Sequence, residues 1–191
     1  MAATLYLNPD GVLQHQYNRR SARDPESLPD LSVVDATKLL EQLLTVFPRT
    51  DVVLHSYGVK LLGYQQAILH LSPLIQSRII GSTYAGNRLV RFRCKPRWRR
   101  RDWLRDDLRR RMPRYPIVVD SDWTQLLPEL SETTLIVSSS HGLAAPGMAK
   151  ALFDLLLKAE SASEPQSPVG WLSASGKPRC VFHAMADTIP R

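Results

Sequence analysis

Short apolar runs alternate along the chain with longer stretches in which apolar residues recur every three to four positions. Five of the short runs read as strands: Thr4–Leu7, Asp51–His55, Arg78–Gly81, Pro116–Asp120 and Thr133–Ser138. Four longer stretches read as helices. Asp35–Phe47 places Leu39, Leu40, Leu43, Leu44 and Phe47 on one face. Lys60–Leu71 does the same through Leu61, Leu62, Gln65, Ile68 and Leu69. Arg99–Met112 turns Leu104, Leu108 and Met112 inward and its arginines outward. Ala145–Lys158 is the last. Pro48 and Pro73 are read as helix stops. Strands that are apolar throughout and separated by helices predict an α/β fold, a parallel sheet covered on both faces.

The length of 191 residues suits one domain, and 43% hydrophobic with 23% charged residues excludes a chain disordered throughout. The expected division is a domain over 1–159 and a Ser/Pro-rich tail over 160–191, flexible or loosely docked, with Trp171 and Val181-Phe182 as its possible anchors. The polar segment 14–32, with Pro25 and Pro29, is expected to be a loop or a small lid. No apolar run is long enough to span a bilayer and no signal peptide is recognisable, so the expected location is cytoplasmic. Two cysteines, Cys94 and Cys180, suggest neither a disulfide framework nor a zinc site.

Charge changes the picture. The chain carries a net +7, yet eleven of its 25 Lys and Arg lie between Arg93 and Arg114, opposed there by three Asp. The rest is close to neutral, so the basic character is a local patch. Asp102, Asp106 and Asp107 stand three or four residues before Arg105, Arg110 and Arg111, which predicts internal pairing on a solvated face. Arg93, Lys95, Arg97, Arg99 and Arg101 lack such partners and flank Trp98. Cations interleaved with an aromatic residue suit single-stranded nucleic acid; a solvated or protein-binding face is the plainer alternative.

In an open parallel sheet, ligands bind at the carboxyl ends of the strands. Those ends carry Asn8-Pro9-Asp10-Gly11-Val12, His55-Ser56-Tyr57-Gly58, Asp120-Ser121-Asp122 and Ser138-Ser139-Ser140-His141-Gly142. Each has a structural reading by itself: a turn, a helix cap, a hydrogen-bonding histidine. In this order they resemble the haloacid dehalogenase-like (HAD) phosphohydrolases. That family's first motif is Asp-x-Asp-Gly-Val/Thr, its second a Ser or Thr, its third a Lys or Arg near a helix start, and its fourth one or two acids. Ser56, Arg100 or a neighbour, and Asp120 with Asp122 match the last three. The resemblance covers about residues 4–158 and is strongest to small capless HAD domains, some of them within bacterial RNA-repair proteins. It implies a three-layer α/β sandwich with strand order 5-4-1-2-3 and little or no cap. It also implies Asp10 as acid/base, Ser56 and Arg100 as phosphate ligands, and a Mg²⁺ site at positions 8, 10, 120 and 122.

The nucleophile position of that pattern holds Asn8. An amide is a poor nucleophile toward phosphorus and adds no charge to a metal site, so Mg²⁺ binding is expected to be weak or absent. Deamidation is disfavoured because Pro9 has no N–H to attack the side chain. Gly58, where relatives often carry Trp-Arg, and the split Asp-Ser-Asp are further departures. The expected function is a degenerate HAD-like domain that binds a phosphorylated ligand, nucleic acid or protein partner without efficient turnover. The alternative is an active Mg²⁺-dependent phosphohydrolase whose nucleophile has been changed to Asn8.

Overall fold

A computed structural model of the chain describes residues 3–13, 31–84 and 99–162. Its elements are β1 (Thr4–Leu7), α1 (Leu31–Val46), β2 (Asp51–Leu54), α2 (Tyr57–Leu62), α3 (Tyr64–Leu69), α4 (Pro73–Arg78), β3 (Ile79–Ser82), α5 (Arg100–Arg111), β4 (Pro116–Asp120), β5 (Thr134–Ile136) and α6 (Met148–Ser161). Short 3-10 turns at Trp123–Gln125, Pro128–Thr133 and Gly142–Ala144 shape the loops around β5. The five strands form one parallel sheet in the order β3-β2-β1-β4-β5, which is the expected 5-4-1-2-3 read from the other edge.

Alternation along each strand sorts the side chains between two cores. Leu5 and Leu7, Val52 and Leu54, and Ile117 and Val119 join α1 and α6 in the larger one, through Leu40, Leu44, Leu152 and Leu156. Tyr6, Val53 and Val118 point to the opposite face and pack with Leu104 of α5 and Leu127. The central strands are buried on both sides, which is why they are apolar throughout rather than alternating.

Three expectations about the helices are corrected. The stretch Lys60–Leu71 is not one helix. Gly63 adopts φ +87°, breaks it into α2 and α3, and leaves Leu61, Leu62 and Leu69 exposed rather than inward. Pro73 does not merely end a helix but opens α4 as its first residue, where a missing N–H costs nothing. Met112 does not face the core: it caps α5 in the left-handed region at φ +46° and is 80% exposed, while Trp103 takes the inward place. The arginines of α5 are not all outward either, since Arg100 is 3% exposed.

Pairing along α5 is close to that expected. Arg110 reaches Asp106 and Asp107, and Arg111 reaches Asp107 at 2.7 Å. Arg105 pairs with Glu129 instead of Asp102, whose carboxylate accepts from the Arg99 N–H in a capping box. Segment 14–30, the cations Arg93, Lys95 and Arg97 with Trp98, and residues 163–191 lie outside the described residues. Among the described residues, no helix is long and apolar enough to cross a membrane.

Candidate functional site

Sheet register assembles the centre of the site. Tyr6 pairs with Val53 on one side and Val118 on the other. Two residues further on, just past the ends of β2 and β1 and at the last residue of β4, the same face presents His55, Asn8 and Asp120 in a row. Backbone bonds extend the ladder to this point: His55 N–H donates to Leu7 O at 2.7 Å and Asn8 N–H to Val119 O at 3.0 Å. All three side chains are buried.

The Asn8 amide N–H donates to Asp120 Oδ1 at 2.9 Å. That orientation is the only favourable one, because a flipped amide would set oxygen against carboxylate. Asp120 Oδ1 also accepts from the Asp122 N–H and from Arg100, each at 3.0 Å. Arg100 enters from the first turn of α5, and its other terminal nitrogen donates to His55 O at 3.0 Å. Of the candidate arginines at positions 99–101, the geometry therefore singles out Arg100. Its guanidinium also lies 5.5 Å from the centre of the Tyr57 ring, which meets Trp103 edge-on.

The neighbouring loops bring in Asp10 and Ser56. Gly11 takes φ +79°, and a Cβ there would overlap Ser121, so the tight turn after Asn8 needs glycine. Ser121 Oγ donates to Asp10 O at 3.1 Å and pins that turn to the loop after β4. Ser56 caps α2 by accepting from the Gly58 N–H at 2.8 Å and donates to Asp10 Oδ2 at 2.6 Å. A Cβ at Gly58 would stand 3.1 Å from Ser56 Oγ and 3.8 Å from Asp10 Oδ2. A side chain there would lie against the Asp10–Ser56 pair; glycine leaves that space open.

Asp122 is close to the cluster but already engaged. One oxygen accepts from the Thr124 N–H and hydroxyl, the other from Gln125 Nε2, and Arg100 lies 3.6 Å away. His141 sits on the same rim, exposed, bonded to Ser140 rather than to the cluster. Arg99 is exposed and Arg101 half-buried at the start of α5.

Burial and charge set the protonation of the row. Burial holds the Asp120 carboxyl above its ordinary value, and the Arg100 charge with the Asp122, Asn8 and Arg100 hydrogen bonds pulls it only part of the way back. Burial and then the Arg100 charge hold His55 well below the ordinary histidine range, so the ring is neutral. Burial works against ionised Asp122 as well, but the Thr124 and Gln125 hydrogen bonds outweigh it and keep the carboxyl acidic.

Sequence reasoning did not place His55 in this row. Its Nδ1 lies 3.0 Å from Thr83 Oγ1, and its Nε2 stands 4.0 Å from Asp120 Oδ2. Counting two residues past the Tyr6–Val53 pair would have found it. Four buried polar atoms of this cluster have no hydrogen-bond partner: Asn8 Oδ1, His55 Nε2, Arg100 Nε and Asp120 Oδ2. Four unmet groups in one place mark where water or a ligand is received.

The donor set does not suit a hard divalent cation. Asp120 Oδ1 already takes three donors, and Asp10 O is taken by Ser121. Asn8 supplies no charge, and the two unmet oxygens, Asn8 Oδ1 and Asp120 Oδ2, carry a single carboxylate between them beside the Arg100 guanidinium. Among the described residues, no three His, Cys, Asp or Glu side chains converge as a metal centre.

Comparison with the curated proteins and with the solved structures finds no match. A family model described as the HAD domain in Swiss Army Knife RNA repair proteins matches residues 4–148. That match spans all five strands and every residue of the cluster, and the chain belongs to this family of HAD domains.

Proposed function

We propose that this domain binds a phosphorylated ligand and does not turn it over efficiently. The observation that carries the reading is Asn8. Its amide stands at the family's nucleophile position and is committed as a donor to Asp120, so that position offers no charged oxygen to attack phosphorus. Groups able to bind remain: the unpartnered Arg100 Nε, and the Ser56 hydroxyl once it exchanges its bond to Asp10 for one to the ligand. The family's association with RNA repair and the cations at Arg93–Arg101 favour the phosphorylated end of a nucleic acid over a protein partner.

A phosphorylated single-stranded oligonucleotide and its dephosphorylated twin test this. Fluorescence anisotropy is expected to show tighter, salt-sensitive binding of the phosphorylated strand. Replacing Arg97, Arg99 and Arg101 by Ala is expected to flatten the salt dependence. Phosphate release is expected to stay at background, since binding groups alone leave only slight residual catalysis. Chelator-sensitive phosphate release by the unmodified protein, or equal affinity for both strands, overturns the proposal.

The second reading, a phosphohydrolase disabled at one position, draws on the Ser56–Asp10 contact of 2.6 Å, an acid/base group still held in place. It requires Asn8→Asp to produce Mg²⁺-dependent phosphate release.

A further inference from the structure

We propose that Arg100 is the resident cation of this site, and that the Asn8 amide and the Arg100 guanidinium together replace a divalent ion. It stands apart from the identity of any phosphate ligand and concerns how the chain's own residues hold the site together.

Asn8 and Asp120 meet at 2.9 Å on neighbouring strands, in a position fixed by sheet register. With a carboxylate at position 8, two buried acids would face each other at that distance. Such a pair needs a shared proton or an intervening cation. The Asn8 amide offers an N–H toward Asp120 instead and removes the repulsion without changing the shape. One carboxylate charge is left in the row, on Asp120. Arg100 balances it at 3.0 Å from a position almost closed to solvent, with its second nitrogen fixed by His55 O. Within the row of His55, Asn8 and Asp120 the chain itself thus supplies the cation; Asp122, 3.6 Å from Arg100, lies outside the row and is held by Thr124 and Gln125. A Mg²⁺ ion entering it would find Asp120 Oδ1 already taken by three donors, and only Asp120 Oδ2 and the uncharged Asn8 Oδ1 unmet, beside a guanidinium.

Two substitutions unbalance the row in different ways. Asn8→Asp adds a negative charge; Arg100→Gln removes the positive one. Each leaves a carboxylate charge in need of a cation, and each is expected to create Mg²⁺ dependence where the unmodified protein has none. Thermal unfolding with excess chelator and then with rising Mg²⁺ reads this directly. The unmodified protein is expected to melt at the same temperature throughout. Asn8→Asp is expected to melt lower in chelator and to gain about 3–6 °C once Mg²⁺ exceeds its Kd about tenfold. Arg100→Gln is expected to respond in the same direction. Calorimetric titration with MgCl₂ is expected to give heat with Asn8→Asp and none with the unmodified protein. Should Arg100→Gln fail to fold, Asn8→Asp decides the matter alone. A melting temperature of the unmodified protein that rises with Mg²⁺ as steeply as that of Asn8→Asp overturns the proposal, and so does an Asn8→Asp protein indifferent to Mg²⁺. Neither outcome touches the phosphate-binding reading, whose test is the pair of oligonucleotides.

Discussion

At the N-terminal end of α5, Arg100 meets Asp120; at its C-terminal end, Arg110 and Arg111 meet Asp107. Both carboxylates are fully buried under the same face of the sheet. At the C-terminal end both oxygens are used: Oδ1 takes Arg110 at 2.5 Å and Oδ2 takes Arg111 at 2.7 Å. The Tyr6 hydroxyl lies beside them, its pKa pushed upward by burial and by the Asp107 charge. Arg111 also fills the space over Gly81, where a Cβ would stand 2.6 Å from its guanidinium. At the N-terminal end one carboxylate oxygen is crowded and the other unmet, and three neighbours are unmet with it. Beside Asp107 only the Tyr6 hydroxyl lacks a hydrogen-bond partner, against four atoms around Asp120, so similar residue types on one helix make a nearly closed structural joint at one end and a receptive site at the other. Burial does not separate them; incomplete hydrogen bonding at the strand ends does.

Removing each carboxylate is the strongest way to break this comparison. Asp120→Ala strands a closed-in guanidinium and the Asn8 amide, and is expected to cost about 3–5 kcal/mol in denaturant unfolding. Asp107→Ala frees two arginines whose side chains are already 35% and 27% exposed and can turn to water. Its expected cost is about 1–3 kcal/mol, mostly from the charge-assisted hydrogen bonds lost and the space left behind. Equal losses would mean that the two ends are the same kind of joint.

A smaller effect concerns pH and belongs to the N-terminal end alone. The folded state holds His55 neutral, with a pKa well below the ordinary 6.5, while the unfolded chain protonates near that value. A depressed folded pKa means that the unfolded state binds the extra proton. The contribution is therefore fully present above about pH 6.5 and is lost as pH falls toward the folded value. Denaturant midpoints across neutral to mildly acidic pH are expected to fall more steeply for the unmodified protein than for His55→Asn. Identical slopes would show that His55 takes up its proton in the folded state, and that the row is less closed than its geometry indicates.

The contrast also explains what the sequence disclosed. The central strands were legible because a strand covered on both faces must be apolar throughout, as Leu5–Leu7, Val52–Leu54 and Ile117–Val119 are. Their order came through the resemblance, and register then joined Asn8 to Asp120. Asp10 with Ser56 was legible as paired motifs, although nothing in the spacing announced their direct hydrogen bond. The helices were less legible. Leu61, Leu62, Ile68 and Leu69 have the spacing of one buried face, yet Gly63 turns the chain between them and three of the four are exposed. Arg100 is flanked in sequence by the exposed Arg99 and the half-buried Arg101, and composition cannot say which one is drawn inside. Only the row it meets, His55, Asn8 and Asp120, selects it.

The smallest expected effect lies at the other end of α5 and tests whether the ends are independent. Met112 closes the helix at φ +46° and ψ +54°, with its N–H donating to Leu108 O at 2.9 Å. A side chain in that conformation costs about 1 kcal/mol, and this one is exposed and packs little. Glycine adopts the same geometry freely and keeps the hydrogen bond, but it loses more chain entropy on folding. Met112→Gly is therefore expected to stabilise the protein by about 0.5–1 kcal/mol, seen as a rise of a few degrees in thermal unfolding. Because Asp107 is already satisfied and far along the helix from Arg100, the oligonucleotide affinities and the indifference to Mg²⁺ are expected to stay unchanged. A change in either would show that tightening the C-terminal turn moves Arg100. The helix would then transmit strain between a structural joint and a binding site that the geometry otherwise keeps apart.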